Sequence, residues 1–173
     1  MLMSVARRFA GLGQRPEVWM GLFLVFLDQL SKALVRVTIP THDSVTVIPG
    51  LLNLTHVLNS GAAFGFLNAS DFPFKTVVIA MLAVCALIAI GVYAVSFGTE
   101  TAITRYSLTL ILAGACGNLI DRARTGAVVD FVDVYWQTWH FWAFNVADSA
   151  ITIGAVLLIF DMLRAGRHVP TTV

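Results

Sequence analysis

Asp130, in Val128-Val129-Asp130-Phe131, and Asp148, in Phe144-Asn145-Val146-Ala147-Asp148-Ser149, are acids placed against apolar sequence. A carboxylate is costly near hydrocarbon, so an acid at such a place marks a functional site by default. Two acids that converge can share one proton. The ionised member then draws a proton from water and the neutral member donates to a carbonyl oxygen, which is the chemistry of aspartic peptide hydrolysis. Around them stand polar residues at helical spacing. Asp28 and Lys32 are four apart, with the acid on the N-terminal side. Asn118 and Arg122 are four apart, Asp121 lies three from Asn118, and Gly114, Ala115 and Gly117 precede them in a pattern suited to tight helix packing. Asn145 and Asp148 are three apart where an apolar run begins.

Each group also has a plain structural reading. Asp28 and Lys32 can form an intrahelical ion pair that neutralises two charges near a membrane interface, or they can support a site. Asn118, Asp121 and Arg122 can be a polar end to a helix, or Arg122 can hold an acid or a substrate carbonyl. Asn145 and Asp148 can cap a helix. Capping does not account for Asp130, which sits in apolar sequence. Asp133 reads as solvated or interfacial, and Asp43, Asp71 and Asp161 as boundary charges. The Asp-Thr/Ser-Gly signature of pepsin-type enzymes is absent.

The elements that must position these residues follow from composition. Of 173 residues 58% are hydrophobic and 12% are charged, against about 25% charged in soluble domains. The chain reads as a polytopic membrane protein forming one compact domain over residues 1–173. A net charge of +1 gives no support for nucleic-acid binding. Cys85 and Cys116 lie in apolar runs without a CxxC pattern and read as packing residues. The four histidines are scattered and no HExxH occurs, which argues against a zinc protease. No metal or cofactor is expected.

A spanning helix needs about 20 mostly apolar residues. Four segments qualify: Val18–Val37, Phe74–Phe97, Thr104–Arg122 and Phe144–Leu163. The first follows Arg7, Arg8 and Arg15 like a signal peptide, but it runs on into Asp28-Gln29-Leu30-Ser31-Lys32 without a small-residue cleavage site. It reads as a retained membrane helix. Four spans put both termini on one side, and Arg7, Arg8, Arg15, Arg164 and Arg167 make that side cytoplasmic. Lys32, Arg36, Lys75, Arg122 and Arg124 fall toward the other side. The polar residues then gather in the outer half of the membrane, and the inner half is nearly featureless. The first outer connection, about 39–72, holds period-2 alternation over 44–57 and reads as a small β element. Asn59-Ser60-Gly61-Ala62-Ala63-Phe64-Gly65 breaks it with small residues that permit close backbone approach. The second, about 123–143, carries Tyr135, Trp136, Trp139 and Trp142, an interfacial aromatic belt.

Five blocks in this order are distinctive: Asp28-Gln29-Leu30-Ser31-Lys32, Asn59-Ser60-Gly61-Ala62-Ala63-Phe64, Gly117-Asn118-Leu119-Ile120-Asp121-Arg122, Val128-Val129-Asp130-Phe131, and Phe144-Asn145-Val146-Ala147-Asp148-Ser149. The chain resembles the bacterial lipoprotein signal peptidases (signal peptidase II) over nearly its whole length. Only the tails, 1–15 and 165–173, lie outside the resemblance. It implies an all-α polytopic fold of four transmembrane helices with a small periplasmic β-cradle and a short periplasmic helix serving as a lid. It also implies cleavage of prolipoproteins on the amino side of a diacylglyceryl-modified cysteine, without a metal, and inhibition by globomycin-like cyclic peptides. Asp130 and Asp148 match the catalytic pair. Asn59, Arg122 and Asn145 match residues lining the substrate site, and Asp28 and Lys32 match supporting polar residues. Gly61, Asn118 and Asp121 lie within the matching blocks. Phe64, Phe66 and the Trp136–Trp142 belt can contact lipid or signal peptide. The expected partners are prolipoproteins and membrane lipid, for a monomer in the inner membrane.

Two rival readings remain open on the residues alone. A proton-coupled carrier would carry polar residues through the whole membrane depth, which the segment 74–97 lacks. A non-enzymatic assembly protein would use its acids only for pairing between helices.

Overall fold

Helix α1, Pro16–Thr38, opens with proline at its first turn, where the missing N–H costs nothing. A computed structural model describes residues 15–61, 77, 78, 81, 84, 88 and 101–165. One face of α1 buries Glu17, Gly21, Asp28, Lys32 and Val35. Its other face exposes Trp19, Leu22, Phe23, Phe26, Leu30 and Leu34. Polar inside and apolar outside is the reverse of a water-soluble helix and suits a lipid surround. Helix α2, Ala102–Thr125, is capped by the Thr101 side chain, which accepts from the Thr104 N–H at 3.0 Å. It ends at Gly126, whose φ of 77° is the left-handed conformation that glycine adopts freely. Helix α3, Val146–Ala165, is the third element long and apolar enough to cross a membrane.

Between the helices lies an antiparallel sheet in the order β1-β2-β3-β4: Ser44–Ile48, Leu52–Asn59, Val128–Trp136 and Trp139–His140. The expected β element over 44–57 is the β1–β2 hairpin. The all-α class is therefore corrected. Asp130 is not on a loop but on β3, opposite Val57 of β2, just past an irregularity in the register between Leu54 and Val57. The core is small. Val35 and Ile39 from the end of α1 pack with Val129 and Phe131, flanked by Leu54, Val132 and Val146.

Side-chain pairs fix the helix directions. Arg105 donates to Glu17 at 3.1 Å, joining the starts of α1 and α2. Lys32 and Asp121, 3.0 Å apart, join their ends. These two helices therefore run parallel. Helix α3 runs the other way: Asp148 lies with the second pair, and Asp161 accepts from Thr101 at 2.7 Å. Close contact among the helices rests on glycine. A Cβ on Gly117 would stand 2.5 Å from an Asp28 carboxylate oxygen, and one on Gly154 would stand 2.7 Å from the Ser107 carbonyl oxygen.

Several expectations change. The end remote from the sheet is not featureless, since the buried Glu17 and its partner Arg105 lie there. Asp133 is buried, not solvated, and pairs with His140 at 2.9 Å and Asn53 at 3.1 Å. Cys116 is exposed on α2 and is no packing residue. Within the expected span 74–97, Val77, Val78, Met81, Val84 and Ile88 are helical and exposed, and the rest lies outside the described residues. So do Cys85, Phe64 and Phe66, and no separate short helix occurs among the described residues.

Candidate active site

Lys32 is completely buried, and its ammonium has three N–H groups to place. They go to Asp28 Oδ2 at 2.9 Å, Asp121 Oδ2 at 3.0 Å and Asn118 Oδ1 at 2.9 Å. Arg36 completes the set, 2.8 Å from Asp121 Oδ1. Asp28, Lys32, Asp121 and Arg36 are two acids and two bases, so the cluster is neutral. Burial of charge requires such pairing. Gln29 donates to the Gly117 carbonyl oxygen and to Asp28, both at 3.1 Å. The cluster also reaches backbone: Asp28 accepts from the Ala147 N–H at 3.0 Å, and Asp121 from the Val129 N–H at 3.4 Å. Those bonds hold the residues beside Asp148 and Asp130.

Asp130 and Asp148 are held differently. Asp130 accepts from Asn59 Nδ2 at 3.0 Å and Asn145 Nδ2 at 2.7 Å. Asp148 accepts from Asn118 Nδ2 at 2.8 Å and the Asn145 backbone N–H at 3.2 Å. Asn145 thus bridges the two acids. Its side-chain oxygen also accepts from the Asp148 N–H at 2.9 Å, so the pair forms a reciprocal cap on α3. The cap on α3 and the bridge between the two acids thus meet at one residue. Among the described residues neither acid makes an ion pair. Burial pushes the Asp130 carboxyl up to about 6, helped by the Asp148 charge and opposed by the Asn59 and Asn145 hydrogen bonds.

Arg122 donates to the Gly61 carbonyl oxygen at 2.9 Å, and the Gly61 N–H donates to Asn59 Oδ1 at 2.9 Å. The arginine therefore braces the segment that carries Asn59. All ten residues singled out in the sequence, namely Asp28, Lys32, Asn59, Gly61, Asn118, Asp121, Arg122, Asp130, Asn145 and Asp148, meet at one end of the helices. Gln29 and Arg36 were not singled out. Arg36 continues the four-residue stripe of Asp28 and Lys32, which is the signal that locates it.

A family model described as signal peptidase (SPase) II matches residues 20–164. The chain belongs to the signal peptidase II family. That family is one of proteases. A lipoprotein signal peptidase of Geobacter sulfurreducens is 46% identical over 145 residues, covering 82% of this chain and 88% of that protein. One from Pseudomonas aeruginosa is 41% identical over 157 residues, covering 90% and 92%. Two solved bacterial membrane enzymes have the same fold. One, 33% identical, superposes with a TM-score of 0.80 over 91% of this chain and 93% of its own; the other, 31% identical, gives 0.75 over 85% and 92%.

Proposed function

We propose that Asp130 and Asp148 are the catalytic pair of an aspartic endopeptidase. As a signal peptidase II, the chain removes signal peptides from prolipoproteins, in lipoprotein maturation. The observation that carries the dyad is the division of the buried acids. Asp28 and Asp121 touch lysine or arginine, while Asp130 and Asp148 are held, among the described residues, by amide and backbone donors alone and are bridged by Asn145. Acids neutralised by contact cations are poor proton carriers. Acids held only by neutral donors can exchange protons.

Charge favours one shared proton. With Arg122 positive and the pair singly ionised, the remaining site is neutral. The ionised carboxylate takes a proton from water as the water oxygen bonds to the scissile carbonyl carbon. The protonated carboxyl gives its proton to the carbonyl oxygen, leaving a tetrahedral diol. On collapse a diol proton returns to the second acid and the first acid protonates the leaving nitrogen. The C–N bond breaks, and one water has been added in total. The low dielectric around buried acids strengthens each transfer.

The substrate reading is cleavage before a diacylglyceryl-modified cysteine, whose acyl chains stay in the bilayer while the peptide reaches the dyad. Asn59, Gly61 and Arg122 are the side of the site that meets the peptide. Globomycin-like cyclic peptides compete there, and the protein acts as a monomer. We assign four spans to one domain, 1–173, in the inner membrane, with both termini cytoplasmic and the dyad at the outer face. The parallel course of α1 and α2 supports this. The chain leaves the sheet end at Gly61 and enters α2 at the opposite end, so the apolar segment 74–97 has the bundle's length to cross. The arginines at both tails support the orientation.

Purified protein mixed with a diacylglyceryl-modified prolipoprotein, followed by gel, tests the dyad. Folded Asp130→Asn and Asp148→Asn variants are expected to lose at least about a hundredfold in rate. Normal cleavage by either would overturn the assignment.

A further inference from the structure

The three N–H groups of Lys32 are all engaged, so the lysine has no donor left for a substrate. Its third bond does something other than neutralise an acid. It fills Asn118 Oδ1, whose second lone pair takes Asn145 Nδ2 at 3.2 Å. A flipped Asn118 amide would set its NH2 against an ammonium and another NH2. Asn118 Nδ2 is therefore compelled to face Asp148, at 2.8 Å. Asp148 also sits in the first turn of α3, where the helix end favours a negative charge. Asp130, on a strand, lies outside that first turn.

We propose that Lys32 is a positioning residue that acts through Asn118, locking that amide onto Asp148 and so fixing Asp148 as the carboxylate that takes the proton from the attacking water, with Asp130 as the proton donor. This rests on the dyad reading above. The charged groups acting on Asp148 are Asp28 and Lys32 from α1, Arg122 from α2 and Asp130 from β3. Loss of the lock weakens the ionised form of Asp148 while leaving the Asn59 and Asn145 bonds to Asp130 in place.

The test measures kcat and KM against pH on a diacylglyceryl-modified prolipoprotein for Lys32→Gln, Asn118→Ala and the double variant. Each single change is expected to lower kcat roughly tenfold with KM within about twofold. Each should also move the acid limb of the kcat profile up by about one pH unit. Because both residues act along one path, the double variant should be no worse than the more impaired single variant. Lys32→Gln leaves Asp28 and Asp121 without their shared cation and can fail to fold. Asn118→Ala keeps every charge and carries the test alone once its thermal transition shows a folded protein. A folded Asn118→Ala with an unmoved acid limb, or a double variant whose losses multiply, overturns the relay. Full activity in Asp130→Asn or Asp148→Asn would instead overturn the dyad. Inactive dyad variants with an unmoved Asn118→Ala limb would overturn the relay alone.

Discussion

Asp130 meets a conflict of forces that Asp28 and Asp121 avoid. It is 3% exposed and has no cation in contact among the described residues, so its ionised form is disfavoured despite two amide donors. The fold therefore holds its proton up to about pH 6, where the unfolded chain releases it near 3.8. Between those values the folded state binds more protons, so this acid's contribution to stability falls as pH rises through that window. Asp130→Asn removes the dependence. The stability of the variant relative to the wild type, followed by Tm, is expected to climb by up to about 3 kcal/mol between about pH 4 and pH 6 and then level off. The climb rides on a constant offset, because an amide cannot accept from Asn59 and Asn145 together. A difference that does not change with pH would contradict this. The acids were legible as candidates because carboxylates stand out in apolar sequence. Their roles were not: Asp133 looked solvated until the hairpin brought His140 to it, and Arg36 looked like a topology charge until α2 brought Asp121.

At the level of elements, the helices were legible to within three residues at each described end, since length and hydropathy define a span. Strand β3 was not. Its first four residues, Val128 to Phe131, are buried on both faces, so the alternation that reveals a half-exposed strand is missing. The β1–β2 hairpin was easier because Pro49-Gly50 marks its turn. The glycines of α2 read as packing positions, and Gly114 and Gly117 are such positions against α3, but only the fold shows what Gly117 admits. It leaves room for the Asp28 carboxylate, which in turn holds the start of α3 through the Ala147 N–H. Gly117→Ala is expected to cost about 1–3 kcal/mol by overpacking. It should also lower kcat by displacing Asp28, as read by thermal unfolding in detergent and by the cleavage assay. A fully active variant of unchanged Tm would contradict that account.

Among the described helices, charged groups such as Glu17, Asp28, Lys32 and Asp121 are buried while most large apolar side chains face outward, and the sheet lies at one end. Trp136, Trp139 and Trp142 stand exposed beside that end, at 67%, 61% and 60%. This is the distribution of a membrane interface. In a chain with Cys85 and Cys116 replaced by alanine, a cysteine at Thr138 is expected to react with a membrane-impermeant thiol reagent added outside intact spheroplasts. One at Thr101 should react only after lysis. The opposite pattern would reverse the orientation. Such sidedness also gives the double duty of Asn145 a meaning in time. Synthesis delivers Lys32 first, then Asn59, Asn118 and Asp130, and the last span brings Asn145 and Asp148 together. Until that span is seated, Asp130 lacks its Asn145 donor and the proposed dyad lacks its second acid. On the proposed dyad, a nascent or misassembled chain cannot hydrolyse its neighbours in the bilayer, and proteolytic competence arrives only with the final act of insertion.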